Sequence, residues 1–149
     1  MTGTADDLLK LDAQVCFALH AASRAFDARY RAELRPLGLT YPQYLAMLVL
    51  WESDGLTVKH LGERLRLDSG TLSPLLKRLE AAGLVERRRS REDERSVSVH
   101  LTEQGAALRS RALDVPQRML ASAGLSPAEL RDLFSTLQRV TDNLDAAAS

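Results

Sequence analysis

The sequence predicts a mainly α-helical fold that carries one small β-hairpin. Three observations lead there. Apolar residues recur at steps of three and four along most of the chain, which is the helical period. Residues 97–101 switch to strict alternation, Val97, Val99 and Leu101 against Ser98 and His100, which is the strand period. Between these segments stand helix starters such as Thr40, Thr57, Asp68, Thr102 and Ser126, and breakers such as Pro36, Gly38 and Gly83.

The first segment, about residues 6–35, reads as one long helix. Leu8, Leu11, Val15, Leu19, Ala22, Phe26 and Tyr30 follow one another at helical steps, and Pro36 and Gly38 end it. Thr40-Tyr41-Pro42-Gln43 predicts a second start: a capping threonine, a proline in the first turn, and Gln43 reaching back. That helix is apolar nearly all round, which makes it central, and Ser53-Asp54-Gly55 closes it. Thr57 caps a short helix carrying Val58, Leu61 and Leu65. Asp68 or Ser69 caps another, carrying Leu72, Leu75, Leu76 and Leu79, ended by Gly83, with Pro74 a source of bending. Two short helices with a tight connection are the helix-turn-helix pattern. Leu84 and Val85 lead into Glu86-Arg87-Arg88-Arg89, and the polar stretch 90–95 separates this from the alternating run, giving a hairpin with a charged tip. Thr102 caps a fifth helix, expected to run to about Ser122 with a kink at Pro116. Ser126-Pro127-Ala128-Glu129 starts the last helix, whose stripe is Leu130, Leu133, Phe134, Leu137, Val140 and Leu144. The sum is a winged helix-turn-helix with a β-hairpin wing, flanked by N- and C-terminal helices.

At 149 residues the chain is expected to be a single domain, 1–149, with a sizeable core. Its 45% hydrophobic and 27% charged content excludes a disordered chain. One cysteine excludes an intrachain disulfide and any zinc site built on several cysteines. No apolar run approaches the length of a membrane span, and Met1–Asp7 has neither the basic start nor the apolar stretch of a signal peptide. A cytoplasmic protein without a membrane partner is expected. No cofactor is called for. The net charge of +0 hides a distribution. Residues 57–101 hold 10 basic and 7 acidic side chains, and the remainder holds 10 and 13. A basic middle suits a polyanion.

On a helical wheel, Leu72, Leu75, Leu76 and Leu79 share one sector of the fourth helix. The other face carries Ser69, Gly70, Thr71, Ser73, Pro74, Lys77 and Arg78. Small residues and hydroxyls at the helix start allow close approach to a groove floor, the helix N-terminus suits phosphate, and Lys77 and Arg78 can reach phosphates or guanine edges. Arg91 and Arg95 at the hairpin tip suit a narrow minor groove. Glu92, Asp93 and Glu94 beside them repel phosphate unless they orient the arginines through salt bridges. The plainer reading is an ordinary solvated helix face and a polar turn. This lobe spans 40–101 alone. The apolar stripes of 6–35 and 102–146 need partners, and a homodimer would supply them while placing two recognition helices on a palindromic double-stranded operator.

Asp93-Glu94-Arg95-Ser96 followed by Leu101-Thr102-Glu103-Gln104-Gly105 resembles the wing and fifth-helix start of the MarR family of dimeric winged-helix regulators. Leu11-Asp12-Ala13-Gln14-Val15-Cys16-Phe17-Ala18-Leu19, Leu39-Thr40-Tyr41-Pro42-Gln43-Tyr44 and Leu67-Asp68-Ser69-Gly70-Thr71-Leu72 resemble its organic-hydroperoxide-sensing branch, OhrR. The resemblance implies that Cys16 is the peroxide sensor and that Tyr30 and Tyr41 hydrogen-bond to it from the other subunit. The branch commonly has a tyrosine where this chain has His20. With no second cysteine, the chain resembles the one-cysteine type.

Cys16 and His20 are four apart and share a helix face, where an imidazole favours thiolate. Cys16 and Tyr30 are 14 residues apart, about 21 Å of helical rise, so they can meet only across two chains. A thiolate there would attack an organic hydroperoxide and become sulfenic acid, in an apolar pocket built from Phe17, Leu19 and Phe26. With no internal thiol to condense with, the oxidised sulfur would take a low-molecular-weight thiol, the dimer packing would change, and the operator would be released. Three other readings stay open: a regulator answering a small aromatic ligand with Cys16 structural, a thiol peroxidase, and a metal site on Cys16 and His20. The last lacks further ligands, since His60 and His100 sit in other elements.

Overall fold

The computed structural model describes residues 3–148. Residues 1 and 2 of the stretch read for a signal peptide, and residue 149, lie outside the described residues. Seven α-helices and three short strands follow one another among them. They are α1 (Val15–Leu34), α2 (Tyr41–Glu52), β1 (Leu56–Thr57), α3 (Val58–Leu65), α4 (Ser69–Ala81), β2 (Val85–Arg89), β3 (Val97–Leu101), α5 (Glu103–Ala112), α6 (Val115–Ala123) and α7 (Pro127–Ala148). No described helix is long and apolar enough to cross a membrane.

The first helix starts later than its periodicity predicts. Residues 7–9 and 11–13 form two 3-10 turns, and Lys10 and Gln14 are extended. The Gln14 side-chain amide donates to the carbonyls of Leu8 (2.6 Å) and Lys10 (2.9 Å), which holds the chain folded back on itself. Leu8 and Leu11 therefore do not join the stripe of α1, which begins at Val15.

Downstream, the capping signals act as predicted. Thr40 Oγ1 accepts from the Gln43 N–H (3.4 Å), and Gln43 Oε1 accepts from the Thr40 N–H (3.0 Å), a complete capping box. Thr57 Oγ1 accepts from the His60 N–H at 3.1 Å and starts α3. Between α3 and α4 the chain turns through Arg66 in the left-handed conformation, φ 57°. The Leu67 N–H donates to the Gly62 carbonyl at 2.9 Å, and a Cβ on Gly62 would stand 2.8 Å from the Leu67 carbonyl oxygen. Glycine at 62 is what lets the two helices meet so tightly.

The strands form one antiparallel sheet in the order β1-β3-β2. The β2–β3 hairpin is the predicted wing, with Arg87 opposite Val99 and Arg89 opposite Val97. The extra strand, Leu56–Thr57, pairs with Val99 and Ser98 and so fastens the start of α3 to the wing. The core of this part gathers Leu34, Met47, Leu50, Leu61, Leu76 and Val99, all essentially without solvent contact.

The single fifth helix expected to reach Ser122 is two helices. α5 ends at Ala112, Leu113 and Asp114 intervene, and Pro116 lies in the first turn of α6, where a missing N–H costs nothing. The chain divides into two compact units at this break. In the second unit, Ser126 and Glu129 cap α7 reciprocally at 3.1 Å each.

Candidate nucleic-acid interface and thiol site

The fourth helix buries Leu72, Leu75, Leu76 and Leu79 and exposes Ser69, Gly70, Thr71, Pro74, Lys77 and Arg78, with Ser73 half-buried. All seven residues singled out from the sequence thus lie off the core face. Of the two caps expected for this helix, Asp68 is the one that acts. Asp68 Oδ1 accepts from the Thr71 N–H at 2.7 Å, and that hydrogen bond holds the Asp68 carboxyl below the usual carboxylate range. The Thr71 amide is therefore taken by the chain's own carboxylate and is not open to phosphate, and Lys77 and Arg78 are the exposed cations of this helix.

At the wing tip, Ser90 Oγ accepts from the backbone N–H groups of Glu92 (3.2 Å) and Asp93 (3.3 Å), and Asp93 Oδ1 accepts from the Arg95 N–H (3.0 Å). Asp93 thus shapes the turn instead of pairing with an arginine side chain. Arg91 and Arg95 are exposed and have no ion-pair partner among the described residues. A groove of about 1020 Å³ runs between the α3–α4 turn and the wing. Thr57, Lys59, Arg66, Ser69, Ser73, Arg87 and Arg95 line it. Lys59, Arg66 and Arg87 had no assigned role from the sequence. Their meeting depends on the β1–β3 pairing, and a two-residue strand leaves no periodicity to read.

Cys16 is the second residue of α1 and is exposed. Its sulfur lies 3.4 Å from His20 Nδ1, and the same nitrogen lies 2.8 Å from the Cys16 carbonyl oxygen. With a proton on Nδ1, that N–H donates to both in a three-centre arrangement. Gln14, whose side chain is engaged upstream, places no side chain on the first amides of α1. The thiol therefore sits at an uncapped helix start, beside backbone N–H groups that no side chain takes. The sequence reading missed this position because it ran the helix back to residue 6.

The two tyrosines form a separate cluster. The Tyr30 ring centroid lies 4.6 Å from that of Tyr41 and 5.8 Å from that of Tyr44. Burial, and then the neighbouring Tyr41 and Tyr44, push the Tyr30 phenol up to about 12. Burial raises Tyr41 and Tyr44 too, with Asp27 adding to the effect on Tyr41. All three phenols therefore keep their protons at neutral pH. Beside Tyr41 lies a cavity of about 660 Å³ lined by Asp27, Arg31, Arg35, Gly38, Leu39, Thr40 and Pro42.

The structure brings Cys16 to His20 and Tyr30 to Tyr41, but α1 keeps the two pairs about 21 Å apart along its axis. Phe17 and Leu19 are not in an apolar pocket of the single chain; they are 45% and 38% exposed. Among the described residues no group of three or more His, Cys, Asp or Glu side chains comes together to hold a metal.

The model of the transcriptional regulator SarA/Rot family matches residues 30–111. The organic hydroperoxide resistance transcriptional regulator of Bacillus subtilis is 50% identical over 138 residues, 93% of this chain and 94% of that protein. The HTH-type transcriptional regulator TtmR of Methylorubrum extorquens is 50% identical over 143 residues, 96% of this chain and 73% of that protein. Among solved structures, reduced AbfR bound to DNA superimposes with a TM-score of 0.80 at 33% identity, covering 95% of this chain and 99% of that one.

Proposed function

The chain belongs to the MarR family of winged-helix DNA-binding transcription regulators, in its organic-hydroperoxide branch, and from that premise we propose that it represses transcription until Cys16 is oxidised. In this reading residues 40–101 bind DNA, and the helices at both ends, 6–35 and 102–146, join two copies in the cytoplasm. Ser69, Gly70, Thr71, Ser73, Pro74, Lys77 and Arg78 approach the major groove, while Arg91 and Arg95 reach the flanking minor groove.

One observation carries the sensing half. Cys16 stands at an uncapped helix start beside His20, and Tyr30 stands about 21 Å along the same helix, with the Tyr41 ring of α2 packed against it. One chain holds both halves of a thiol site and cannot close it. A second copy, with its first helix crossing or antiparallel, closes it twice. The exposed apolar side chains Leu8, Leu11, Val15 and Phe17 on one end and Phe134 and Leu144 on the other give such a pairing its surface.

The chemistry then balances simply. The Cys16 thiolate attacks the distal oxygen of an organic hydroperoxide. The O–O bond breaks, the alkoxide leaves and takes up a proton as the alcohol, and sulfur becomes sulfenic acid. A low-molecular-weight thiol condenses with it, releasing water and leaving a mixed disulfide too large for the packed dimer. The two recognition helices lose their spacing and the operator is released.

The test is operator binding before and after one equivalent of an organic hydroperoxide with a small thiol, on the wild-type chain and on Cys16→Ser. Release in the wild type and retention in the variant is the expected result. Release that ignores Cys16→Ser would transfer the sensing to a non-covalent ligand and overturn the redox reading.

A further inference from the structure

Glu80 lies near the end of α4 and Arg87 in the middle of β2, with a turn at Ala82–Leu84 between the two elements. Four contacts join them. Arg87 Nη2 donates to Glu80 Oε1 at 3.2 Å, Nε lies 3.4 Å from each carboxylate oxygen, and the Arg87 backbone N–H donates to Oε2 at 3.1 Å. The Arg87 and Glu80 side chains are only 28% and 36% exposed, less than those of the Arg64–Glu52 and Arg88–Glu86 pairs. A two-handed guanidinium on a carboxylate that also binds the strand backbone fixes angle as well as distance.

The remaining fastenings of the wing lie elsewhere. At its root the Thr102 hydroxyl donates to the Gly83 carbonyl at 2.6 Å, and the Thr102 N–H donates to Leu84 at 3.1 Å. β3 is flanked on both sides, by β1 and β2, whereas β2 is an edge strand. Beyond Arg89 the tip is held by its own turn. The Glu80–Arg87 contact is thus a side-chain fastening between α4 and the outer strand of the wing, added to the apolar packing beneath them.

Resting on the DNA-binding reading, we propose that Glu80 and Arg87 are positioning residues for DNA: by locking β2 to α4 they set the angle at which the wing presents Arg91 and Arg95 to the groove beside the one α4 occupies. Arg91 lies four residues beyond Arg87, roughly 13 Å along an extended strand. A rotation of about 10° at the clamp therefore moves the tip roughly 2 Å, beyond the tolerance of a hydrogen bond. Because Arg87 is committed to Glu80, it acts on DNA through the position of the tip and not as a phosphate contact of its own. The Glu80 carboxyl, held low chiefly by the hydrogen bond from Arg87, stays ionised and keeps the clamp shut at neutral pH.

The test is a double-mutant cycle read on DNA. A duplex is first selected by the wild-type protein from a random-sequence pool. Its affinity and salt dependence are then measured for wild type, Glu80→Ala, Arg95→Ala and the double variant, with Glu80→Gln and Arg87→Ala beside them. In the wild-type background Arg95→Ala is expected to weaken binding about tenfold. In the Glu80→Ala background it is expected to cost less than about twofold, because the tip is no longer held on the DNA. Glu80→Ala and Arg87→Ala should each lower the slope of log affinity against log salt by about two per subunit, about four for the dimer, the contribution of the phosphate-reaching arginines Arg91 and Arg95 in both copies. A variant that had merely lost folded protein would show a smaller active fraction at an unchanged slope. Glu80→Gln keeps the size and the hydrogen bond to the Arg87 backbone, so a milder loss in the same direction is expected, with the thermal midpoint checked alongside. Additive costs of Glu80→Ala and Arg95→Ala, with slopes unchanged, would overturn the clamp and leave DNA binding standing. Failure of the wild-type chain to select any duplex would overturn both.

Discussion

Replacing Gly70 by alanine separates what the fold needs from what DNA needs. Gly70 is the second residue of α4 and is exposed. A Cβ built there meets nothing nearer than Asp68 Oδ1 at 3.4 Å, an ordinary contact. No packing in the free protein requires glycine, and alanine is the better helix former. Gly70→Ala should therefore stabilise the free chain by about 0.5 kcal/mol, a value reduced from the full helix-interior difference because the position lies in the first turn. The methyl stands about 1.5 Å proud of the backbone, on the face proposed to meet the groove floor. A displacement of that size breaks a base-edge contact, worth about 1–3 kcal/mol per half-site. Trp51, the sole tryptophan, is half-buried with Nε1 donating to the Gly105 carbonyl at 2.9 Å, so its fluorescence reports unfolding in urea. Operator affinity is read by anisotropy on the same samples. The expected pairing is a higher urea midpoint with at least fivefold weaker binding. Unchanged affinity would refute close approach at Gly70, and a lowered midpoint would refute the claim that the site has room.

Gly105→Ala should do the opposite: its Cβ would stand 2.0 Å from the Leu84 carbonyl oxygen, so a loss of about 2–4 kcal/mol in urea unfolding is expected, and a neutral result would show that α5 can shift freely. The whole tyrosinate absorbance comes from Tyr30, Tyr41 and Tyr44, and in the folded chain it should titrate above 10, returning to the ordinary value in denaturant. Since the folded value is the higher one, the folded state keeps its protons longer: stability from burial of Tyr30 is complete below about pH 10 and is lost as pH rises through about 12. Tyr30→Phe and Tyr41→Phe should slow reaction with organic hydroperoxide while leaving operator affinity of the reduced protein intact, measured by stopped-flow loss of free thiol; wild-type rates in both would remove these phenols from the sensor. Release by hydroperoxide should be much faster with a small thiol present, and mass spectrometry should show an adduct on Cys16 that dithiothreitol removes; an intersubunit Cys16–Cys16 disulfide that tracks release would contradict it.

The parts of this molecule legible in the sequence are those set by short-range chemistry. Thr40 with Gln43, Thr57, Asp68 and Ser126 with Glu129 each start a helix where a side chain can take a free amide within three residues. The wing declares itself because Val97, Val99 and Leu101 alternate. The misread places are those where a longer reach decides. Gln14 bonds six residues back to Leu8 and moves the start of α1 to Val15, which changes the surroundings of Cys16 from mid-helix to helix start. β1 exists because of a partner more than forty residues away. The division at Leu113 and Asp114 interrupts a stretch whose apolar period runs on unchanged, so periodicity alone could not place it.

The carboxylates of Asp68 and Asp93 each bind a backbone amide, at the start of α4 and at the wing tip, on the side proposed to meet DNA. Anchored in this way, they cannot swing aside when a phosphate approaches in the wrong register. A regulator must find one site among a vast excess of similar, incorrect DNA, and sequence-independent attraction to phosphate is what detains it there. If the basic middle of this chain meets DNA as proposed, the fixed negative points at the start of α4 and at the wing tip offset part of that general attraction. In the proposed function, occupancy of an operator would then lean more on the fit at that operator, and a modest disturbance of fit would be enough to leave the promoter empty.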